Sequence, residues 1–341
     1  MVTISDIAEK AGVAKSTVSN ALKGTKFVSE PLKERILKVC DEMNYSPNFY
    51  ASGLSGHRTN IIGLFLEETK DGTYHAYYTE LIEACLRYVS KHGYNLLIYY
   101  NLESGRRQNA LQKGKSPIDG AIISAPLIQD HRILQIENNS TPCVSIGKPS
   151  DSGNLPYVDI DNVKLIHDAV NILAVNGYDK IYLVNSDEHL SISRERSAAF
   201  LDAKRERGLS ATDADITYAS GSVAEEGRQF AEGVIRKNVA FITANTRLAE
   251  GVYAAAEAAG LGVGREVGVF ALGGEKNDRL TPNLAYASQD YARLAKMAAK
   301  CLIRQLDGAT RDDRATGESG KEGGAELIAS KIHFDASVNR G

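Results

Sequence analysis

The chain has 341 residues, 43% hydrophobic and 24% charged, which is enough for two or three domains with real cores. No apolar run reaches the roughly 18 residues of a membrane span, and the opening residues are polar and acidic where the apolar stretch of an export signal would sit, so no membrane partner and a cytoplasmic location are expected. Cys40, Cys85, Cys143 and Cys301 show no paired spacing and the seven histidines no HxxxH pattern, which argues against a disulfide scaffold and a metal site; the net charge is −3, yet residues 1–60 hold eight Lys/Arg against six Asp/Glu, a balance that permits a nucleic-acid-binding head without establishing one.

The first 60 residues read as short helices only. Thr3 or Ser5 can cap a helix carrying Ile7, Ala8 and Ala11, which Gly12 ends. Lys15–Leu22 follows, with Val18 and Leu22 on one face. A third helix opens at Ser29 with Pro31 in its first turn and carries Leu32, Ile36, Val39 and Met43 as an amphipathic stripe. Tyr45-Ser46-Pro47-Asn48 breaks the chain, since the residue before proline disfavours helix.

From Ile61 the texture changes to apolar strand-like runs alternating with helical patterns. The strands are expected at 61–66, 95–100, 120–124, 144–146, 181–184, 239–243 and 267–271, and the helices at 78–91, 163–176, 195–207, 224–236, 248–259 and 292–306. Such alternation implies an α/β body with parallel sheets covered on both faces, and its length favours two lobes. Residues 310–324 are polar and glycine-rich and read as a surface loop before a last strand near 327–334. No internal repeat stands out beyond the alternation itself.

Ser5 to Leu22, SDIAEKAGVAKSTVSNAL, has the form of a helix-turn-helix: two short helices meeting through Ala11-Gly12-Val13. Glycine suits the turn because it alone takes a positive φ without steric cost. Ala8, Val13, Val18 and Leu22 would pack inward, leaving Lys15, Ser16, Ser19 and Asn20 outward. Asn20 can pair bidentately with adenine, Lys15 can reach a guanine edge or a phosphate, and Ser16 can contact either. Composition alone also allows a plain helical hairpin with a solvated polar face.

With these residues on the page the sequence resembles the lactose-repressor (LacI/GalR) family of bacterial transcription regulators. The likeness is carried by Thr3-Ile4-Ser5-Asp6-Ile7-Ala8, the Ala11-Gly12-Val13 turn, Thr17-Val18-Ser19 and Tyr45-Ser46-Pro47-Asn48. It continues through Arg58-Thr59-Asn60-Ile61-Ile62-Gly63-Leu64, Asp119-Gly120-Ala121-Ile122-Ile123, Val158-Asp159-Ile160-Asp161-Asn162, Asn245, Pro282 and Gln289-Asp290. The resemblance implies an all-α helix-turn-helix head (1–47), a hinge helix and linker (48–60), and a two-lobed periplasmic-binding-protein-like body (61–341) that binds effector and dimerises. The first lobe would take about 61–161 and 290–320, the second about 162–288 and 321–341. It implies a homodimer on double-stranded operator DNA, a small sugar-like effector, no cofactor, and DNA contacts from Thr3, Lys15, Ser16, Thr17, Ser19, Asn20, Asn48 and Leu54.

The hinge, NFYASGLS, is about two turns long, carries Gly53 and cannot hold a helix by itself. The family folds it on cognate DNA, where a leucine wedges into the minor groove; Leu54 matches that position, and a linker leucine packing on the body is the plainer alternative. Two departures bear on DNA binding. Ser52 stands where relatives often carry arginine, and Ala14 where they have a serine capping the second helix, a loss of about 1 kcal/mol.

Ligands of open α/β folds bind at strand C-termini, here the cleft between lobes. The resemblance places effector contacts at Tyr77 and Tyr78 in the first lobe and at Ser191, Ser193, Arg196, Asn245 and Gln289 in or beside the second. Helix packing is the plainer role of the tyrosines, and helix capping that of Asn245. A guanidinium fork such as that of Arg196 pairs with vicinal hydroxyls or a carboxylate. The family's acidic residue after the 267–271 strand is absent: Gly273 falls at or beside its place, which disfavours a simple neutral hexose unless Glu275 substitutes, and leaves room for a ligand with its own negative charge. A sugar effector that releases DNA is expected; a nucleoside or nucleobase effector and a corepressor are alternatives.

Two other classes compete. An enzyme is disfavoured because Gly260-Leu261-Gly262-Val263-Gly264 follows a helix and precedes a strand, the reverse of a dinucleotide loop, and no GxSxG elbow, Walker loop or metal spacing occurs. A transporter's solute-binding protein would carry an export signal and no DNA-binding head.

Overall fold

The computed structural model describes residues 2–23, 27–45, 58–67, 77–100, 117–150, 155–221, 223–308 and 325–339. They fall into two compact units, Met1–Thr59 and Asn60–Gly341.

The first unit is helical: α1 (Ile4–Ala11), α2 (Lys15–Lys23) and α3 (Glu30–Glu42). Thr3 caps α1 in extended conformation, and Asp6 accepts from its backbone N–H at 2.7 Å and its hydroxyl at 2.9 Å. Gly12 closes α1 with φ 65°, so Val13 N–H reaches back to Ala8 O at 3.0 Å and the chain turns into α2 without a Cβ clash. Ile7, Ala8, Ala11, Val18, Ala21, Ile36, Val39 and Cys40 form the core, with Val13 and Leu22 packed at its margin.

The second unit holds two six-stranded sheets. In the first, β2 (Asn95–Tyr100), β1 (Ile61–Leu66), β3 (Gly120–Ser124), β4 (Cys143–Ile146), β5 (Tyr157–Ile160) and β11 (Ala325–Ile328) lie in that spatial order, all parallel. In the second, β7 (Ile216–Tyr218), β6 (Lys180–Asn185), β8 (Val239–Thr243), β9 (Val267–Ala271) and β10 (Ala285–Ser288) are parallel, and β12 (Lys331–His333) closes the edge antiparallel to β10. The helices that cover them are α4 (Tyr77–Lys91), α5 (His131–Asn138), α6 (Asn162–Val175), α7 (Ser191–Glu206), α8 (Ala224–Val234), α9 (Thr246–Ala258) and α10 (Tyr291–Gly308). Central strands such as β3, β8 and β9 are buried on both faces, which is why GAIIS, VAFIT and VGVFA run apolar without alternation.

The strands and helices read from the sequence between residues 61 and 306 form, some with shifted ends; α7 starts four residues earlier than expected. The expected single last strand at 327–334 is a correction. It is two short strands, β11 in the first sheet and β12 in the second, with two residues between them. Residues 325–328, assigned from the sequence to the second lobe, therefore belong to the first sheet through their pairing with β5. A strand-like run does not encode which of two sheets it joins, and so the third crossing between lobes lies at 328–331. The other two lie at 160–162 and 288–291. Strands β5, β7 and β10 and helix α5 had no sequence signal strong enough to name: each strand has at most four residues, and α5 is only eight long. The polar stretch 310–324 lies outside the described residues.

Among the described residues no helix is long and apolar enough to cross a membrane, and no group of three or more His, Cys, Asp or Glu could hold a metal ion.

Candidate functional site

On the helical unit, α2 presents Lys15 and Ser16 fully exposed and Thr17, Ser19 and Asn20 half-buried, while Val18 points into the core. Thr3 is exposed at the start of α1, and its hydrogen bonds hold the Asp6 carboxyl below its usual range. Ala14 fills the cap position of α2: its carbonyl accepts from Thr17 N–H at 2.9 Å and Val18 N–H at 3.2 Å, but it has no side-chain oxygen to offer the first turn. The unsatisfied N–H groups of that turn remain donors for an external acceptor such as a phosphate. Asn48 and Leu54 lie outside the described residues.

In the second unit the strand C-termini of both sheets face one cleft, and two loops bridge it. Leu127, after β3, pairs antiparallel with Leu190, before α7. Ile128 N–H donates to His189 O at 2.7 Å, and Ser191 N–H to Pro126 O at 2.9 Å. The Ser191 hydroxyl donates to Leu127 O at 3.2 Å, so this side chain joins the lobes. The 125–130 loop is held from below by Arg132, which is 2% exposed and pairs with Asp130 at 2.5 Å and Glu67 at 2.9 Å. Burial pushes the Asp130 carboxyl up, but the hydrogen bonds and charge of Arg132 outweigh it and leave it below the usual range.

Arg196 lies on α7 and is 4% exposed. Its Nε donates to Asn162 Oδ1 at 3.0 Å, and its two terminal nitrogens have no protein acceptor among the described residues. Asn162 in turn donates to Asp159 Oδ1 at 3.3 Å and Ile160 O at 3.1 Å. Burial pushes the Asp159 carboxyl up to about 6, against the pull of the Lys148 and Ile160 N–H donors and of Arg196. Beside it, Lys148 of the first lobe pairs with Glu195 of the second at 3.1 Å.

The two tyrosines play different parts. Tyr78 is wholly buried, and its hydroxyl donates to Glu67 O at 2.9 Å, so it anchors the start of α4. Tyr77 is half-buried and stacks on Tyr291 with ring centroids 4.9 Å apart. Burial raises the Tyr291 hydroxyl's pKa, while the charge of Arg196 lowers it, so this first-lobe phenol lies within electrostatic reach of the second-lobe guanidinium. The Ser193 hydroxyl is buried with no hydrogen-bond partner among the described residues. Asn245 caps α9 by accepting from Leu248 N–H at 2.9 Å, and Gln289 donates to Leu272 O at 2.9 Å. A Cβ at Gly273 would lie 3.4 Å from Gln289 Nε2 and 3.7 Å from the Tyr291 hydroxyl, so the vacant side-chain position opens onto these two groups.

Sequence reasoning missed Tyr291, Asn162 and the Asp159–Lys148–Glu195 group. Tyr291 directly follows the family-like Gln289-Asp290, and Asn162 ends the family-like Val158–Asn162 segment.

Residues 3–48 match the model of bacterial regulatory proteins of the lacI family, and residues 170–319 match a periplasmic binding protein-like domain. HTH-type transcriptional regulator MalR of Streptococcus pneumoniae is 28% identical over 74% of this chain and 78% of its own. Catabolite control protein A of Streptococcus mutans is 27% identical over 90% and 92%. The lac repressor dimer, solved bound to operator and the anti-inducer ONPF, superposes with a TM-score of 0.78 at 20% identity, covering 99% of both chains. The chain carries a lacI-family DNA-binding domain ahead of a periplasmic binding protein-like domain, as its opening motif implied, and is a DNA-binding transcriptional regulator.

Proposed function

We propose that the protein is a repressor of a carbohydrate-utilisation operon, acting in the cytoplasm as a homodimer whose DNA affinity is set by a small sugar-like effector. The observation that carries the reading is one chain with a helix-turn-helix at its start and a two-lobed body in which buried Arg196 keeps two terminal nitrogens with no protein acceptor among the described residues. Lys15, Ser16, Thr17, Ser19 and Asn20 on α2, with Thr3, form the DNA-facing group, and Asn48 and Leu54 complete it from the hinge. Arg196, Ser193, Asn245, Gln289, Tyr77 and Tyr291 face the effector. The names of the relatives support a sugar. One reading helix per chain offers too few groups to specify a site alone, so a palindromic operator with half-sites about one helical turn apart is expected. The function is binding and release, with no chemical step.

An effector touching both lobes favours one lobe arrangement and shifts DNA affinity only by its differential affinity for the two, typically about 1–3 kcal/mol. Calorimetric titration of effector with and without operator DNA tests the sign. Weaker effector binding on operator supports release by ligand. Tighter binding makes the ligand a corepressor, and equal binding means that ligand is not the effector.

A further inference from the structure

The electrostatics of the cleft narrow the ligand further. Arg196 is a buried cation with no carboxylate within 4.0 Å among the described residues: its one protein bond is from Nε to the neutral amide of Asn162. The two nearby carboxylates are otherwise engaged. Glu195 pairs with Lys148, and Asp159 accepts from the Lys148 and Ile160 backbone and from Asn162. A buried charge lacking a counter-ion is costly, and a planar anion on the guanidinium fork removes that cost. The position from which the protein could supply such an anion is vacant, because Gly273 has no side chain beside Gln289 and Tyr291.

We propose that the ligand of this cleft carries a carboxylate that sits on the two terminal nitrogens of Arg196, an inference that rests on the cleft being the effector site. The ligand supplies the negative charge that residue 273 does not. Its remaining hydroxyls meet Gln289 and the buried Ser193 hydroxyl, which has no partner among the described residues, and its ring lies against Tyr77 and Tyr291. A carboxylate fits better than a phosphate dianion. Among the described residues beside Asp159, Lys148 is paired with Glu195 and Arg196 has no carboxylate partner, so a second negative charge would face Asp159 and Glu195 without compensation.

The test is calorimetry on the full-length protein with D-glucuronate and D-galacturonate, their parents D-glucose and D-galactose, and glucose 6-phosphate. At least one uronate should bind about tenfold or more tighter than its parent sugar. Arg196→Gln should remove that preference, and Gly273→Asp should reverse it by providing the anion from the protein. The Gly273 backbone is not left-handed and its Cβ contacts are ordinary, so this variant folds even if Arg196→Gln does not. Parent sugars or the phosphate binding as tightly as the acids overturns the proposal. So does uronate binding that survives both variants, or no uronate binding at millimolar concentration. The wider effector reading fails separately: a uronate bound through Arg196 that leaves operator affinity unchanged keeps the carboxylate site and removes the effector role, whereas a neutral sugar releasing operator in an Arg196-dependent way does the opposite.

Discussion

Arg196 Nε donates to Asn162 Oδ1 at 3.0 Å, a side-chain bond that ties the second turn of α7 to the first residue of α6. The same amide donates to Asp159 and to the Ile160 carbonyl, so it is fixed at both ends and sets the plane of the guanidinium. Its position at the start of α6 needs no amide for helix formation, because Asp161 caps the helix by accepting from Lys164 N–H. Asn162→Ala should therefore leave the fold and basal operator affinity intact and weaken effector binding by about tenfold, the scale of one lost buried hydrogen bond to a charged group. Effector titrations that give the same affinity for both proteins would show that Arg196 is oriented by packing alone.

The bridge between lobes can be weakened without breaking a helix. Ser191 is the first residue of α7, where proline is tolerated because the N–H has no partner within the helix. Leu190 before it is already extended, φ −77° and ψ 135°, as a residue preceding proline requires. Ser191→Pro removes the N–H donated to Pro126 and the hydroxyl donated to Leu127, two cross-lobe bonds worth about 1 kcal/mol each. The melting temperature should change little, while affinity for an effector that favours the bridged arrangement falls several-fold. A large drop in melting temperature with unchanged effector affinity would make the bridge a stability feature only.

How much of this was legible in the sequence follows from the range of each signal. The head was readable almost in full, since the capping Thr3, the left-handed Gly12 and the Val18 stripe are local and act within one turn of helix. The alternation of strands and helices was readable because buried parallel strands such as VAFIT are short apolar runs with no charged residue and no polar alternation. What escaped depends on distant partners. Ala325–Ile328 and Lys331–His333 are similar short runs, and only pairing with β5 and β10 separates them. Likewise Ser191 and Ser193 look equivalent in sequence, yet one bridges to Leu127 and the other is buried without a partner. Tyr78 looked like a ligand contact beside Tyr77, but its direction on α4 turns it to the Glu67 backbone.

Asn20 on α2 is the residue best suited to read a base among those on its exposed side. Asn20→Ala should relax preference at one operator position at a cost of about 1–3 kcal/mol there, with little effect on random DNA. Binding measured on a set of single-base operator variants checks this. Equal losses on operator and random sequence would assign Asn20 to the backbone instead.

The close packing of α8 on α9 gives a stability prediction independent of function. Gly227 and Gly251 lie where these helices touch backbone to backbone; a Cβ at 251 would overlap the Ala224 carbonyl and one at 227 the Leu248 carbonyl. Gly251→Ala must push the helices apart and open the Leu248–Val252 core, so it should destabilise the body by about 1–3 kcal/mol. Unfolding in denaturant reads this directly, and a Gly251→Ala protein as stable as the parent would mean that the helix pair slides at no cost.

Asp159 makes the body's stability depend on pH in an unusual direction. Its carboxyl is pushed by burial to about 6 in the folded protein, from an ordinary value of 3.8. The groups around it are the backbone donors of Lys148 and Ile160, the Asn162 amide, and the charges of Glu195 and Arg196. Between these two pKa values the native state holds a proton that the unfolded chain has lost, so this group's contribution to stability rises as pH falls through 6 and is complete below 3.8. From pH 7 to 5 the gain is about 1 kcal/mol. Asp159→Asn cannot titrate. It keeps an acceptor for Ile160 N–H and Asn162 but presents an amide to Lys148 N–H, a cost that does not vary with pH. The stability of the parent relative to Asp159→Asn should therefore increase on acidification from pH 7 to 5, even as other carboxylates lower both. A difference that stays flat over that range would show that Asp159 is ionised in the folded protein throughout, and a difference that shrinks would reverse the sign of its coupling to the fold.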